Sequence, residues 1–207
     1  MRPIGLDDII GRERYGEARE TIRRRVIAHK RPRRVAVGDR LSLLFEDRAT
    51  VWYQTQEMLW VERVTDLDAI REELAVYNQL LPGEGDLAAT LLIELREQER
   101  MREEFRRFVG LDRHLTLLVG EQRIPAVFED GRQTGENISA VQYLRFPLDA
   151  GARAALAAGA PLAIVADHPS YAATASLDEA ARAAIVGSFI DPGVADADLH
   201  RVRDGVT

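Results

Sequence analysis

Chemistry in this chain would depend on a few scattered polar side chains, because the sequence has no catalytic motif of known spacing. The first group lies in the segment from Glu46 to Arg63, EDRATVWYQTQEMLWVER, which contains Gln54 and Glu57. As a helix, this segment has apolar side chains on all its sides, so we expect some of its polar groups to be buried with partners. A carboxylate buried without a partner is costly, so Glu57 is expected to be protonated, ion-paired or bound to a cation.

Several arrangements could neutralise Glu57. The arginines available on the same segment or on a later strand are Arg48, Arg63 and Arg145. An ordinary structural ion pair is one arrangement, and an exposed Glu57 beside an apolar homodimer interface is another. The third is a small-ligand pocket that includes Gln54, Glu57 and Arg145.

A second group of polar residues ends the apolar segment PLAIVADHP. Strand alternation places His168 on the same face as Ile164 and Ala166, where a core face meets a loop, and Tyr171 follows closely. An imidazole in that position suits a ligand or a general base. Asp167 would point to the opposite face, which argues against an Asp–His dyad. The alternative is an ordinary histidine at the end of a strand.

Spacing signatures of metal and nucleotide sites are missing from the sequence. There is no cysteine, and the H-E-x-x-H, EF-hand, paired E-x-x-H, G-x-G-x-x-G and P-loop patterns are absent. The sequence therefore predicts no cofactor and no metal site. A mononuclear site built from Glu57, His168 and a further carboxylate would require the fold to bring distant segments together.

Composition and charge limit the class of protein. The chain has 207 residues, 46% of them hydrophobic, and a formal net charge of -6, which predicts a single domain over 1–207 and disfavours nucleic acid. No apolar segment approaches the length needed to span a bilayer, and the first residues lack the apolar core of a signal peptide. Together with the absence of cysteine, this favours a cytoplasmic protein with no membrane partner.

One basic segment contrasts with this acidic background. Residues 12–29 have the period of an amphipathic helix, Pro32 should end it, and 1–36 is predicted as a helical basic arm. The candidates for partner binding are Arg23, Arg24, Arg25, Lys30, Arg31, Arg33 and Arg34. Few aromatic side chains lie among them, so an acidic protein partner is favoured over nucleic acid. A solvated charged surface is the alternative.

The remaining pattern indicates short strands and helices without strict alternation. Strands are expected at 41–46, 87–95, 139–146 and 162–168, with a hairpin over 114–128 in which Pro125 places the second strand at an edge or a bulge. This predicts an α+β fold, a largely antiparallel sheet of about six strands packed against helices, with a helical N-terminal region. Residues 192–207 are predicted to be a frayed tail.

Several segments resemble one protein family in the same order along the chain. They are LLFEDRATVWYQTQEMLWVER, VYNQLLP, ATLLIE, SAVQYLRF and VADHPSY. Together they resemble the bacterial domain-of-unknown-function 3501 family over nearly the whole chain, and this family has no established activity. Its members tend to be encoded beside rubrerythrin-like and iron–sulfur, heterodisulfide-reductase-like proteins.

The resemblance implies an uncharacterised accessory or binding protein that docks on redox or oxidative-stress partners. Genome neighbourhood is only an association, so it assigns no residue a role. The alternative function is an enzyme or a protein that binds a small ligand or a metal, with a pocket around Glu57 and His168.

Overall fold

Two antiparallel sheets and a layer of helices form the fold. The computed structural model describes residues 1–94, 101–131, 133–134 and 137–204. Its α-helices are α1 (Arg12–Lys30), α2 (Arg48–Val61), α3 (Leu67–Tyr77), α4 (Met101–Arg106), α5 (Ala150–Ala157), α6 (Glu179–Ile190) and α7 (Pro192–Arg203). Its strands are β1 (Arg34–Val37), β2 (Leu41–Phe45), β3 (Asp86–Ile93), β4 (Leu115–Val119), β5 (Gln122–Pro125), β6 (Val127–Phe128), β7 (Gln133–Thr134), β8 (Asn137–Ile138), β9 (Val141–Pro147), β10 (Leu162–His168) and β11 (Tyr171–Ser176).

The predicted α+β class is confirmed, but the described strands form two main sheets and a two-stranded ribbon of β7 and β8 instead of one sheet. The larger sheet has the order β1-β2-β3-β9-β6, and the smaller has the order β11-β10-β4-β5. The predicted hairpin over 114–128 is present as β4 and β5, and β5, which Pro125 ends, is an edge strand. After Ala126 the chain changes sheets, because β6 pairs with β9. The expected strand over 87–95 corresponds to β3, although Leu95 lies outside the described residues.

The register of the larger sheet gives it two different faces. Phe45 and Ala89 are partners on the face that packs against the smaller sheet in the main hydrophobic core. Because side chains alternate along a strand, Thr90 and its partner Tyr143 point to the other face. Glu46 directly follows β2 and falls on this second face, which the helical layer covers only in part.

A second hydrophobic core lies within the helical layer. Tyr15 and Ile22 of α1, Trp52 of α2 and Leu199 of α7 are fully buried in it. The segment 1–36 was predicted to be a helical basic arm, but α1 is packed into the fold and residues 34–36 belong to strand β1. Among the described residues, no helix is both long enough and apolar enough to cross a membrane.

Helix α7 occupies the region predicted to be a frayed tail over 192–207. The Asp191 side chain accepts a hydrogen bond from the Gly193 amide, and Pro192 occupies the first turn, where a missing amide hydrogen costs nothing. Ala195, Leu199 and Val202 then repeat at helical spacing and are buried. The prediction missed this short amphipathic period, and residues 205–207 lie outside the described residues.

Candidate functional site

The junction between β2 and α2 directs two neighbouring carboxyl groups into different surroundings. Asp47 is the N-cap of α2, and its Oδ1 accepts a hydrogen bond from the Thr50 amide at 2.9 Å. The Thr50 hydroxyl in turn accepts from the Asp47 amide at 2.9 Å. This capping box fixes the backbone of the junction. Glu46 is thereby held towards the sheet, and Asp47 towards the helices.

Glu46 is a buried carboxyl group whose hydrogen-bond partners are hydroxyl groups. Its Oε1 contacts the Thr90 hydroxyl at 2.5 Å, and its Oε2 contacts the Thr50 hydroxyl. Burial raises the pKa of Glu46 above its usual range, and this effect outweighs the opposing hydrogen bonds and the charge of Lys30. A carboxyl group in this setting is poised to carry a proton under conditions where exposed glutamates do not.

The surroundings of Glu46 suit both of its protonation states. When Glu46 is ionised, both threonine hydroxyls can donate to it. When Glu46 is protonated, its own O–H can donate to Thr50, whose hydroxyl can then donate to the Asp47 carbonyl oxygen 3.1 Å away. Neither state leaves a buried polar group without a partner. The group can therefore gain or lose a proton without a rearrangement of the backbone.

Glu46 lines a cavity of about 410 Å³ on the second face of the larger sheet, which we call the sheet cavity. Its other lining residues include Leu80, Ala88, Thr90, Phe128, Glu129 and Tyr143. Most of these side chains come from β3, β6 and β9, so a continuous sheet supports the cavity. A mainly apolar wall with a few convergent polar groups is typical of small-molecule sites.

Lys30, at the end of α1, is the cation whose charge acts on Glu46. Its ammonium nitrogen lies 5.2 Å from the centre of the Tyr53 ring. Burial lowers the pKa of Lys30, and the charge of Glu46 opposes that effect. Burial thus favours the neutral form of both residues, in contrast to an exposed ion pair.

Asp47 belongs to a group of ion-paired residues between the helices, which we call the ion-pair centre: His29, Arg33, Asp47 and Asp198. His29 Nε2 and Arg33 Nη2 lie 2.7 Å and 2.9 Å from Asp47 Oδ2. Asp47 and Arg33 are 0% and 1% exposed. Burial acts to raise the pKa of Asp47, but the His29 hydrogen bond, the Arg33 charge and the Thr50 amide together lower it below its usual range.

Three members of the ion-pair centre could in principle hold a metal ion. His29, Asp47 and Asp198 each offer a ligand atom, and these atoms lie within 4.8 Å of one another. However, Arg33 Nη2 lies 2.9 Å from Asp47 and 3.5 Å from Asp198, between the two carboxylates. Its guanidinium group already supplies the positive charge that a cation would bring, so this arrangement does not favour a metal.

Glu57, the carboxylate expected from the sequence to need a partner, is held by α1. Its Oε1 accepts from the Tyr15 hydroxyl at 2.6 Å and from Arg19 Nε at 2.8 Å, and its Oε2 lies 2.7 Å from Arg19 Nη2. Burial acts to raise the pKa of Glu57, but these hydrogen bonds bring it below its usual range. Arg48 and Arg145, suggested by the sequence, pair with other carboxylates.

Gln54 and Arg145 approach the sheet cavity, whereas Glu57 does not line it. The Gln54 amide nitrogen lies 3.4 Å from the Tyr143 hydroxyl oxygen, which belongs to the cavity wall. Arg145 also lines the wall, but its guanidinium donates to both Asp86 oxygens at 2.9 Å and to backbone carbonyls. Arg145 therefore anchors the segment before β3 and contributes little free charge to the cavity.

His168 has ordinary partners at both ring nitrogens. Its Nε2 lies 3.0 Å from the Val109 carbonyl oxygen, and its Nδ1 accepts from the Ser170 amide at 3.2 Å. These contacts suit one neutral tautomer. Asp167 contacts His114 instead, at 3.2 Å. His168 lies in the smaller sheet, so the structure does not bring it together with Glu57 around a common pocket.

Tyr171 closes the turn between β1 and β2. Its hydroxyl donates to the Val37 carbonyl at 2.6 Å and accepts from the Asp39 and Arg40 amides at 3.0 Å and 3.1 Å. Gly38 allows this approach, because its φ is +67° and a Cβ there would lie 2.2 Å from the hydroxyl oxygen. The contacts of Tyr171 therefore position a turn.

The basic segment is divided between interior and surface. Arg33 is buried in the ion-pair centre, Lys30 is half-buried, and Arg34 donates to the Ser42 hydroxyl at 3.1 Å. Arg25 is half-buried beside a second cavity. The exposed members that could meet a partner are Arg23, Arg24, Arg31 and Arg34. The segment is therefore a discontinuous basic surface.

The sequence analysis did not identify Glu46, Thr90 or Tyr143 as residues of a site. Two signals pointed to Glu46. Alternation in LSLLFE places it on the face of Ser42, opposite the core face, and the spacing from Asp47 to Thr50 matches a capping box. The capping box starts the helix at Arg48, which leaves Glu46 at the end of the strand. Nothing in the sequence indicated that Thr90 and Tyr143 would lie beside it.

Comparison with known proteins places the chain among uncharacterised relatives. The DUF3501 family, described as protein of unknown function, matches residues 3–189. A crystal structure of a novel protein of unknown function from Burkholderia pseudomallei K96243 is 38% identical, with a TM-score of 0.84. The similarity covers 90% of this chain and 98% of that chain. No curated protein matches the chain.

Proposed function

The chain belongs to the DUF3501 family, and we propose that it binds a small amine-bearing molecule in the sheet cavity, with Glu46 as the group that exchanges a proton with this ligand. The observation that carries the proposal is the position of Glu46. It is a buried carboxyl group with a raised pKa, bonded to hydroxyls, at the wall of an open cavity. Structural carboxylates such as Asp47 and Glu57 have strong cationic partners instead.

The charges around the cavity favour a ligand that becomes cationic. Among the residues that line the cavity, Glu46 and Glu129 are acidic, whereas the positive charge of Arg145 is balanced by Asp86. A neutral amine that enters the cavity can take the proton of Glu46, which leaves an ammonium group beside a carboxylate. The proton moves from oxygen to nitrogen, so the total charge is unchanged. Phe128 and Tyr143 offer aromatic surface for the apolar body of such a molecule.

Matched small probes test this proposal directly. We expect benzylamine to bind saturably in an NMR or calorimetric titration, and benzyl alcohol, which has the same ring but no basic nitrogen, to bind more weakly. Glu46→Gln should weaken benzylamine binding about tenfold, or about 1.4 kcal/mol. Glu62→Gln removes an exposed carboxylate directly after α2 and is the matched control. Equal binding of the two probes, or equal loss in both variants, would reject the proposal.

A second candidate function is docking on an acidic protein partner. Ile27 is 59% exposed, and the exposed Arg23, Arg24 and Arg31 lie three or four residues away from it in sequence. An apolar side chain surrounded by arginines suits a partner surface that is acidic at its edge and apolar at its centre. The resemblance to the family suggests redox partners of the rubrerythrin-like or iron–sulfur type.

Charge reversal tests the docking candidate. We expect a variant with Arg23, Arg24 and Arg31 changed to glutamate to lose co-purification with the rubrerythrin-like and iron–sulfur proteins of the host. Undiminished co-purification would show that these partners do not dock on this surface. Sedimentation of the purified protein separately tests the homodimer predicted from the sequence, in which an apolar side of the 46–63 segment beside Glu57 would face a second copy.

A further inference from the structure

An apolar pocket lies between residues 6–12, α2 and α3, and we call it the N-terminal pocket. Its volume is about 340 Å³, within the range of about 300–1,000 Å³ that small-molecule sites commonly have. The apolar side chains that line it include Leu6, Ile9, Leu59, Trp60, Leu67 and Ile70. Apart from Leu67, these residues belong to the second hydrophobic core or pack against it. The pocket is therefore an opening into that core.

Two side-chain amides hold the N-terminal wall of this pocket in place. The buried Gln56 side chain accepts from the Ile10 amide and donates to the Ile10 carbonyl oxygen, both at 2.9 Å. Asn78 makes the same pair of hydrogen bonds with Ile4, at 2.8 Å and 3.0 Å. These bonds fix the segment against the helices, so a ligand would enter a preformed pocket and would not have to order the wall.

Trp60 forms an aromatic wall of the pocket and is supported by α1. The Arg19 guanidinium carbon lies 4.3 Å from the centre of the Trp60 ring, and Arg19 is held in turn by Glu57. Gly16 leaves room for the indole, because a Cβ there would lie 3.3 Å from Nε1. The position of the ring is therefore fixed, and its surface in the pocket is available to an apolar molecule.

Arg12 is the only charged side chain among the described residues that line the pocket. Its Nη1 donates to the Trp60 carbonyl oxygen, whereas its Nε and Nη2 have no partner among the described residues. Arg12 is half-buried, and neither of these nitrogens is sealed from solvent. Other arginines that are half-buried or buried, such as Arg19, Arg48 and Arg145, have carboxylate partners. Arg12 therefore has an accessible positive charge that no described carboxylate balances.

We propose that the N-terminal pocket binds a small carboxylic acid as its anion, with the carboxylate at Arg12 and an apolar body against Trp60 and Ile70. The free Nε and Nη2 are neighbouring donors of one planar guanidinium group, which can bind both oxygens of a carboxylate in parallel. The apolar lining accounts for the rest of the molecule. The pocket shares no lining residue with the sheet cavity, so this site does not depend on the function proposed there.

Three probes separate the head group from the body: phenylacetate, phenethyl alcohol and acetate. The chain has two tryptophans, and Trp60→Phe identifies the indole N–H signal of Trp60. In NMR titrations of the full chain, we expect phenylacetate to shift that signal saturably and to bind about tenfold more tightly than the other two probes. Equal binding of the alcohol would remove the anion from the proposal, and equal binding of acetate would remove the apolar body. Either result, or no saturable shift with phenylacetate, overturns it.

Substitutions at half-buried or exposed positions locate the site. Arg12→Gln should weaken phenylacetate about tenfold and leave phenethyl alcohol unchanged, with Arg24→Gln as the exposed control. Leu67 lines the pocket yet is 57% exposed, so Leu67→Glu should fold and weaken phenylacetate by charge repulsion, about threefold to tenfold. Val76→Glu adds the same charge near the other end of α3, at a position that is 59% exposed, and should have little effect. Equal losses within either pair of variants would overturn the proposal.

Discussion

Glu46 and Asp47 are consecutive residues, both almost fully buried, yet their pKa values move in opposite directions. Burial acts to raise the pKa of both carboxyl groups. Asp47 escapes this effect because His29 and Arg33 contact it, whereas among the described residues the hydrogen-bond partners of the Glu46 carboxyl are threonine hydroxyls. The contacting groups, and not the depth of burial, therefore decide whether a buried carboxyl group here has a lowered or a raised pKa.

The ion-pair centre around Asp47 and the sheet cavity beside Glu46 differ in the same way. The ion-pair centre joins α1, α2 and α7 through charges that cannot change without loss of packing. The sheet cavity has a carboxyl group that suits either protonation state and lies at an open surface. We therefore expect substitutions in the first region to affect the free energy of unfolding, and substitutions in the second to affect proton and ligand binding.

The largest effect is expected for Arg33→Met. This substitution leaves the buried Asp47 and Asp198 without their shared cation, so it should lower the free energy of unfolding by about 3–5 kcal/mol. Urea denaturation followed by circular dichroism measures the change. Arg24→Met removes an exposed arginine of α1 and should change stability by less than about 0.5 kcal/mol. Similar values for the two variants would mean that the ion-pair centre does not stabilise the fold.

A smaller loss is expected for Asp47→Asn. Asparagine keeps the N-cap acceptor but removes the charge that faces His29 and Arg33, so the loss should be about 1–3 kcal/mol. Asp66→Asn is the matched control, because Asp66 caps α3 at an exposed position. The wild type should also lose its advantage over Asp47→Asn as the pH falls below 3.8, since the pKa of Asp47 is lowered in the folded state. If the wild type stays more stable than Asp47→Asn in acid, the pKa of Asp47 is not lowered in the folded state.

Thr90→Val tests the hydroxyl partners of Glu46. Loss of one partly buried hydrogen bond should cost about 1 kcal/mol, and the pKa of Glu46 should rise further because Thr90 opposes the effect of burial. Thr55→Val removes a buried hydroxyl of α2 that donates to the Val51 carbonyl, and should leave the Glu46 titration unchanged. If Glu46 titrates at the same pH in both variants, the Thr90 hydroxyl does not influence the pKa of Glu46.

The smallest change in stability is expected for Glu46→Gln. Glutamine keeps a similar shape and can still contact both hydroxyls, so the effect near pH 5 should be below about 1 kcal/mol. The raised folded-state pKa gives Glu46 stability that is present below 4.5 and lost as the pH rises through the folded value. Unfolding measured from pH 5 to pH 8 should therefore increasingly favour the variant. A difference that does not change with pH would contradict a raised pKa.

The sequence allowed prediction of the elements better than of the site. The helix expected over 12–29 and the hairpin expected over 114–128 follow local patterns and are present as α1 and as β4 with β5. The division into two sheets could not be predicted, because strand order depends on pairing between distant segments. The contact between Glu46 and Thr90 arises from that pairing.

Glu57, the carboxylate that the sequence analysis singled out, shows the same limit of prediction from local sequence. Periodicity indicated that α2 would be buried on several sides, which its buried Arg48, Thr50, Thr55 and Gln56 confirm. It could not indicate that α1 would bring Arg19 to Glu57. That contact depends on the packing of two helices. The carboxyl group with the raised pKa is instead Glu46, two residues before α2 begins.

A titration of Glu46 tests the central claim most directly. In protein labelled with ¹³C at the glutamate carboxyl carbons, the Glu46 signal is the one absent from Glu46→Gln. We predict that it titrates above the ordinary value of 4.5 and moves to lower pH when benzylamine is added. A Glu46 signal that titrates at or below 4.5, or that benzylamine leaves unchanged, would contradict a proton-exchanging ligand site in the sheet cavity.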